Sequence, residues 1–275
     1  MSIIRRVFDK IGAPVLTVVF TALFIAEGSK QLRRRTQRRG ERIITNSIVA
    51  LPAFALLRFL FLPTMVLLAR KNQHWRLGVN NQYHAPPFIK GMVAFLIMDY
   101  TNYLWHVANH KSTFLWRFHV VHHTDHDLDI TTAFRFHFGE MIGSVFFRGF
   151  FVLVSGATAL QVLLYEILFE AATQFHHSNW KLPLRLERAL NKLIVTPRMH
   201  GIHHSRVRRE TDSNYTVIFS IWDRLHHTIR LNVAQDDIVI GVPAYDNPAE
   251  LTATYLLKLP FTSIRLWEEP AKKGI

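Results

Sequence analysis

The 275-residue sequence contains no cysteine. Disulfide scaffolds, iron–sulfur clusters, zinc fingers and thiolate-ligated haem are therefore excluded together. Any metal must be held by histidine, with aspartate or glutamate assisting. Charge is also scarce: Asp, Glu, Lys and Arg make up 19% of the chain, below the soluble norm of about 25%. Acids are the scarcest of these, 20 against 33 lysines and arginines. Missing too are H-E-x-x-H, G-x-S-x-G, G-x-G-x-x-G and a Walker A loop, so zincin, nucleophile-elbow, dinucleotide and P-loop chemistries lack their signatures.

Apolar residues fill the space, at 49% with 21 phenylalanines. Residues 11–26 form a first apolar run, preceded by Arg5, Arg6 and Lys10. It is short for a span of about 20 residues and reads as a retained short or re-entrant helix. Residues 43–69 are long enough to cross with tilt, and Pro52, Pro63 and Arg58 predict a kink or break there. A third run, 88–105, leads into histidines. The fourth, 141–175, has Ser155-Gly156 near its centre and reads as a helical hairpin that returns to its starting side.

The net charge of +13 is concentrated in Lys30, Arg33, Arg34, Arg35, Arg38, Arg39 and Arg42, between two apolar runs. Such a loop marks the cytoplasmic side of a membrane; an arm for anionic lipid or nucleic acid is the weaker reading, and no nucleic-acid partner is expected. From that side, the second and third runs make one excursion and the hairpin another, so every histidine cluster emerges in one compartment. Residues 181–275 read as cytoplasmic, 236–247 as loop with a short strand, and Lys272-Lys273 resembles a dilysine retrieval signal. The expected architecture is all-α: an integral-membrane helical bundle with a cytoplasmic-facing, histidine-rich cap. It divides into N-terminal membrane helices and basic loop (1–87), a histidine domain (88–230) and a C-terminal segment (231–275).

The histidines carry the chemistry. His106 and His110 are four apart; His119, His122 and His123 follow as H-x-x-H-H; His200, His203 and His204 repeat that spacing. Positions i, i+3 and i+4 share a helix face, and neutral imidazole binds iron, zinc and copper. Eight convergent nitrogens exceed one tetrahedral site, which predicts two metals. Asp99 and Tyr103 continue the stripe of His106 and His110, where Asp99 is expected to accept from a ligand imidazole. Glu166, Glu170, Thr173 and His177 form a second stripe. His177 is expected to complete the metal shell, with the glutamates orienting ligands or handling protons, or else bridging helices. His176 is off the stripe, and His126, beside Asp125 and Asp127, is expected to face solvent. Phe146, Phe147, Phe150 and Phe151 read as lipid-facing or core packing.

Met98-Asp99-Tyr100, Tyr103, Leu115-Trp116-Arg117-Phe118-His119 and Thr132-Ala133-Phe134-Arg135-Phe136-His137, with the histidine boxes, resemble the fatty acid hydroxylase/sterol desaturase superfamily. So do His177-Ser178-Asn179, Thr196-Pro197-Arg198-Met199-His200, His203-His204-Ser205, Asn214-Tyr215 and Trp222-Asp223-Arg224-Leu225. The resemblance covers roughly half the chain, in the expected order. It implies an integral-membrane oxidoreductase with two iron ions in an all-histidine shell, O2 as co-substrate and an external electron donor, either a reductase or an electron-transfer protein. It also implies that His137 and His177 join the eight cluster histidines. His226-His227 stands where the family usually has Phe-Gly and reads as a surface variation. The activity implied is hydroxylation or desaturation of a lipid drawn from the bilayer, in a bacterial inner membrane or the endoplasmic reticulum. A zinc-binding membrane protein with a hydrolytic or structural role is the alternative.

Overall fold

The computed structural model describes residues 7–267; the dilysine pair lies outside them. A π-helical turn, Phe8–Gly12, leads into α1 (Ala13–Ser29). Helix α2 (Arg39–Leu56) runs through a π-turn, Leu57–Phe61, into α3 (Leu62–Trp75). The predicted interruption near Pro52 and Pro63 is thus absorbed as one wide turn inside a continuous helical run. Among the described residues, three stretches are long and apolar enough to cross a membrane: Phe8–Ser29, Arg39–Asn81 and Phe138–Ser155. Their apolar side chains stay uncovered, with Val18, Leu51 and Phe146 all exposed. Phe150 is exposed as well, as a lipid-facing helix requires.

Helix α4 (Pro87–Lys111) is long but falls outside that set. Its interior face buries Asp99, Thr101, Asn102, His106 and His110, and this polarity lowers its hydropathy while its other face stays apolar. Ser112 ends α4 and caps α5 (Thr113–His123) by accepting from the Leu115 N–H. The hairpin forms as expected from α6 (Phe138–Ser155) and α7 (Ala159–His177). Gly156 turns it at φ 70°, and Thr158 with Gln161 makes a capping box that restarts the chain as helix. Gly78, at φ 79°, lets the preceding loop lie against that tip, where a Cβ would meet the backbone of Leu153 and Gly156.

The remaining helices are short: α8 (Leu184–Leu190), α9 (Pro197–His203), α10 (Arg208–Thr211), α11 (Ile221–Leu225) and α12 (Ala253–Lys258). The strand expected within 236–247 is replaced by 3-10 turns, and Ile240 makes only an isolated bridge with Ser205. Two apolar cores result. One, around Phe61, Met65, Met98, Val152 and Tyr165, joins the long helices. The other, around Val49, Val120, Val121, Tyr245 and Leu256, builds the cap. His126 is half-buried within the cap and bonds the Tyr245 carbonyl rather than facing solvent.

The basic run does more than mark a side. Arg42 is 4% exposed and pairs with Asp125 at 2.8 Å and Asp129 at 2.6 Å. Burial alone would raise the Asp125 pKa, but Arg42 and Arg135 overcome it and hold the carboxyl well below the usual range. Arg39 binds buried Glu27, which also accepts from the backbone of Ile130 and Asn179. These ties fasten α1 and α2 to the chain immediately after the α5 histidines. Removing one partner of such a pair strands the other's charge. Arg42→Ala should therefore lower stability by about 3–5 kcal/mol, read as the shift in unfolding midpoint in detergent. Arg38→Ala, on an exposed pair with Glu41, should leave that midpoint nearly unchanged.

Candidate metal centre

Helices α4 and α7 end side by side where α5, α9 and the start of α6 meet the cap. Nine histidines converge there in two buried groups: His106, His110, His119, His123 and His203, and His122, His177, His200 and His204. Within each group the nearest ring nitrogens lie within 4.8 Å of one another. Each H-x-x-H-H box divides in the same way. Its i and i+4 members join one group and its i+3 member the other, so His119 and His123 part from His122, and His200 and His204 part from His203. The two boxes take opposite groups, which ties each group to both α5 and α9.

The outer nitrogens show which ring atoms face inward. His106 Nδ1 lies 2.6 Å from the Tyr215 carbonyl, His203 Nδ1 2.7 Å from that of Ser213, and His177 Nδ1 2.8 Å from that of Thr173. A carbonyl only accepts, so these Nδ1 atoms carry the proton and each Nε2 presents a lone pair. Nε2 of His106 and His203 is buried with no partner at all. In the second group the Nε2 atoms crowd at 3.0 Å (His177 to His122 and to His200) and 3.1 Å (His204 to His200). Nitrogens about 2.0–2.1 Å from a common metal would stand about 3.0–3.4 Å apart, so the residues fit two metal ions. Burial, reinforced by neighbouring imidazoles, pushes His122, His123, His200 and His204 well below the ordinary histidine range. Burial takes His203 to about 3. All are neutral at physiological pH, the form that ligates.

Several side chains expected at the metals do other work. His137 stands apart from both groups: its Nδ1 accepts from the Gly139 N–H to cap α6, and its Nε2 bonds the Leu257 carbonyl. With both nitrogens engaged it has no lone pair for a metal. Asp99 accepts from the Trp222 indole at 2.7 Å and the Phe219 N–H rather than from an imidazole. Tyr103 reaches Thr228 and stacks on His226. Glu166 bridges helices, bonding Arg148 from both oxygens. Glu170 lines a groove on another face of α7. His176 bonds the Val217 carbonyl and packs on His200, outside both groups.

Other residues support the histidines in roles that the sequence left unassigned. Glu140, 8% exposed, lies 3.1 Å from His119 Nδ1 and replaces a carbonyl as acceptor. Its only sequence signal is its place three residues after His137. Asp223 accepts from the backbone N–H groups of Tyr215 and Thr216 and so holds the carbonyl that orients His106. Asn214, at φ 53°, bonds the Met199 and Arg230 carbonyls and anchors α9. A cavity of about 60 Å³ faces both groups, walled by Trp105, Phe136, Phe169 and Val217 with Asn102, Asn109, Thr173 and His176.

The sequence profile of the fatty acid hydroxylase family matches residues 91–228, half of the chain. The chain belongs to that family. Alkylglycerol monooxygenase of Danio rerio is 30% identical over 177 residues, covering 64% of this chain and 38% of that protein. Ornithine lipid hydroxylase of Rhizobium tropici is 31% identical over 57% of this chain and 46% of its own. Cholesterol 25-hydroxylase of Mus musculus is 24% identical over 61% and 55%. The matches thus span from about a third to about half of these relatives' lengths. No solved structure matches. The family region starts within α4 and ends just beyond α11, so it contains every histidine of both groups.

Losing the carboxylate that holds His119 should loosen one group. Glu140→Gln should weaken metal binding about 10- to 100-fold, measured by competition with a chromophoric chelator, whereas His137→Gln should not. Acid should act on both groups. Folding holds His203 near 3 against about 6.5 when unfolded, so the unfolded chain binds more protons between those values. Stability is full above about 6.5 and declines as pH falls toward 3. Metal content and melting temperature should therefore drop together on titration from pH 7 to about 5 and stay level above 7.

Proposed function

We propose that the protein is an integral-membrane oxygenase that hydroxylates a lipid, with a pair of iron ions held by the nine convergent histidines. The observation that carries this reading is the pair of buried, all-imidazole groups sharing one small cavity in a chain of the fatty acid hydroxylase family. His106, His110, His119, His123 and His203 would hold one ion, and His122, His177, His200 and His204 the other. The chemistry such an iron pair supplies when bound is activation of O2 with two electrons for insertion of one oxygen atom into a C–H bond.

The chain's own residues do the rest. Trp105, Phe136, Phe169 and Val217 give the cavity an apolar wall suited to a hydrocarbon segment. Phe136 stacks on His122 with ring centres 4.4 Å apart, placing that wall directly against the ligand set. Glu140 keeps the His119 proton on Nδ1, and the Thr173, Ser213 and Tyr215 carbonyls do the same for three more rings. The site sits where the long apolar helices meet the cap, so a lipid enters from the bilayer while its polar end stays near water. The exposed part of the basic run, Lys30, Arg34 and Arg38, supports a cytoplasmic cap by the positive-inside rule. All three relatives act on lipids by their names, and each adds a hydroxyl group or one oxygen, which favours hydroxylation over desaturation.

Lipid mass spectrometry of cells with and without the chain should show a species heavier by one oxygen atom, present only with O2. His122→Ala should abolish it. A purified protein that holds zinc alone, consumes no O2 with reductant, and keeps its cellular effect after His122→Ala would overturn the proposal.

A further inference from the structure

Helix α7 has a second face. Flanking the metal-facing cavity, α1, α2 and α7 enclose a groove of about 540 Å³ that shares no lining residue with that cavity. Its walls include Phe20, Phe54 and Phe134, and the Phe134 ring lies 5.6 and 5.4 Å from the other two. Two polar groups break this aromatic surface. The Gln174 side chain is 2% exposed, and its amide oxygen is buried with no partner. Glu170, one turn away, has Glu166 and Arg148 as charged neighbours, but Arg148 spends its hydrogen bonds on Glu166. Arg58, also lining the groove, is already paired with Asp9. Uncommitted acceptors among membrane helices are costly and mark binding sites.

A lipid substrate held here would not reach the metals, because no histidine of either group lines the groove and its carbon must touch the oxidant. An electron need not touch. Gln174 precedes His177 by three residues, a rise of about 4.5 Å along the helix. The ligand that fits is therefore bilayer-soluble, flat, aromatic and a donor of two hydrogen bonds. We propose that this groove binds a hydroquinone, a lipid-soluble quinol, as electron donor to the metal pair. One quinol O–H donates to the Gln174 oxygen and the other to the Glu170 carboxylate, with the ring among the three phenylalanines. This rests on the oxygenase reading above. It balances as quinol + O2 + R–H → quinone + R–OH + H2O: the quinol gives up two electrons and two protons, one oxygen atom enters the C–H bond, and the other leaves as water.

The test uses the full chain, metal-loaded, in phosphatidylcholine nanodiscs. A photoreactive azido-ubiquinone competed by decylubiquinol reports the site and affinity, and metal content and dithionite-driven O2 uptake (a single turnover of protein reduced anaerobically with dithionite and then desalted) are read separately. Labels should fall on α1, α2 and α7 around the groove. Gln174→Leu and Phe54→Trp, which reach it from different helices, should each weaken decylubiquinol binding about tenfold with metal content and dithionite-driven uptake unchanged. Gln174→Leu removes an unpaired buried polar group, so folding should not suffer. Labels elsewhere, unchanged affinity in both variants, or a tightly bound phospholipid that decylubiquinol does not displace would overturn the quinol assignment. Quinol binding without any dithionite-driven O2 uptake would instead remove the oxygenase reading.

Discussion

A buried imidazole that donates its only proton outward leaves a lone pair facing inward, and such a lone pair without a partner costs free energy. Here such rings are forced together: Nε2 of His106 and His203 is orphaned, and the Nε2 atoms of His122, His177, His200 and His204 sit within about 3 Å of a neighbour, with His177 donating outward to Thr173. Protonation would relieve the orphans only by placing charges among charges, which burial forbids. Metal cations satisfy the whole arrangement at once. The surrounding polar structure follows from that constraint. Carbonyls of Thr173, Ser213 and Tyr215 and the carboxylate of Glu140 fix the protons outward, and Asp223 and Asn214 fix those carbonyl-bearing loops.

The division of each H-x-x-H-H box between two groups explains why one spacing occurs twice. On a helix, i and i+4 lie closest to the same line, and i+3 is rotated to its flank. A single box can therefore serve both histidine groups from one helix turn. Two boxes facing each other supply two rings to one group and one to the other, in opposite senses. His106 and His110 then add to one group and His177 to the other, giving five and four. The site demands that α5 and α9 be locked face to face, and the ties of Arg42 to Asp125 and Asp129, directly after the α5 box, supply the lock on one side.

Spacing made the two boxes, the stripe of His106 and His110, and the hairpin at Ser155-Gly156 legible in the sequence, because local helical periodicity decides them. The partners of the acids were not legible. Asp99 sits on the histidine stripe, yet its oxygen meets Trp222 from more than a hundred residues away. Glu166 meets Arg148 across the hairpin, and Glu140 meets His119 across two helices. Which polar groups meet is a property of tertiary packing, and a stripe records only that a face is buried. His137 misled for a related reason. It follows a motif, but its Nδ1 is committed locally as the cap of α6 and its Nε2 to the Leu257 carbonyl. The arginine run was half legible: its charge marks a side of the membrane, while Arg42, Arg39 and Arg33 were drawn inward by acids and carbonyls that only the fold brings near.

Helix α7 joins these strands, because each of its faces answers to a different requirement. The face bearing Phe169, Thr173 and His177 closes the metal cavity. Glu166 pairs inward with Arg148 and welds the hairpin, and Glu170 with Gln174 opens onto the groove toward α1 and α2. A carbon to be oxidised and a source of electrons impose opposite geometries, contact for one and mere proximity for the other. If both shared one cavity, the reductant would compete with the substrate and be exposed to the same oxidant. On the proposed reading, a single helix flanked by the two sites would keep them apart while leaving His177 only one turn from Gln174. Polar residues on such a helix are expensive in a bilayer, and their arrangement on separate faces, each turned toward a different neighbour, shows where that cost is offset.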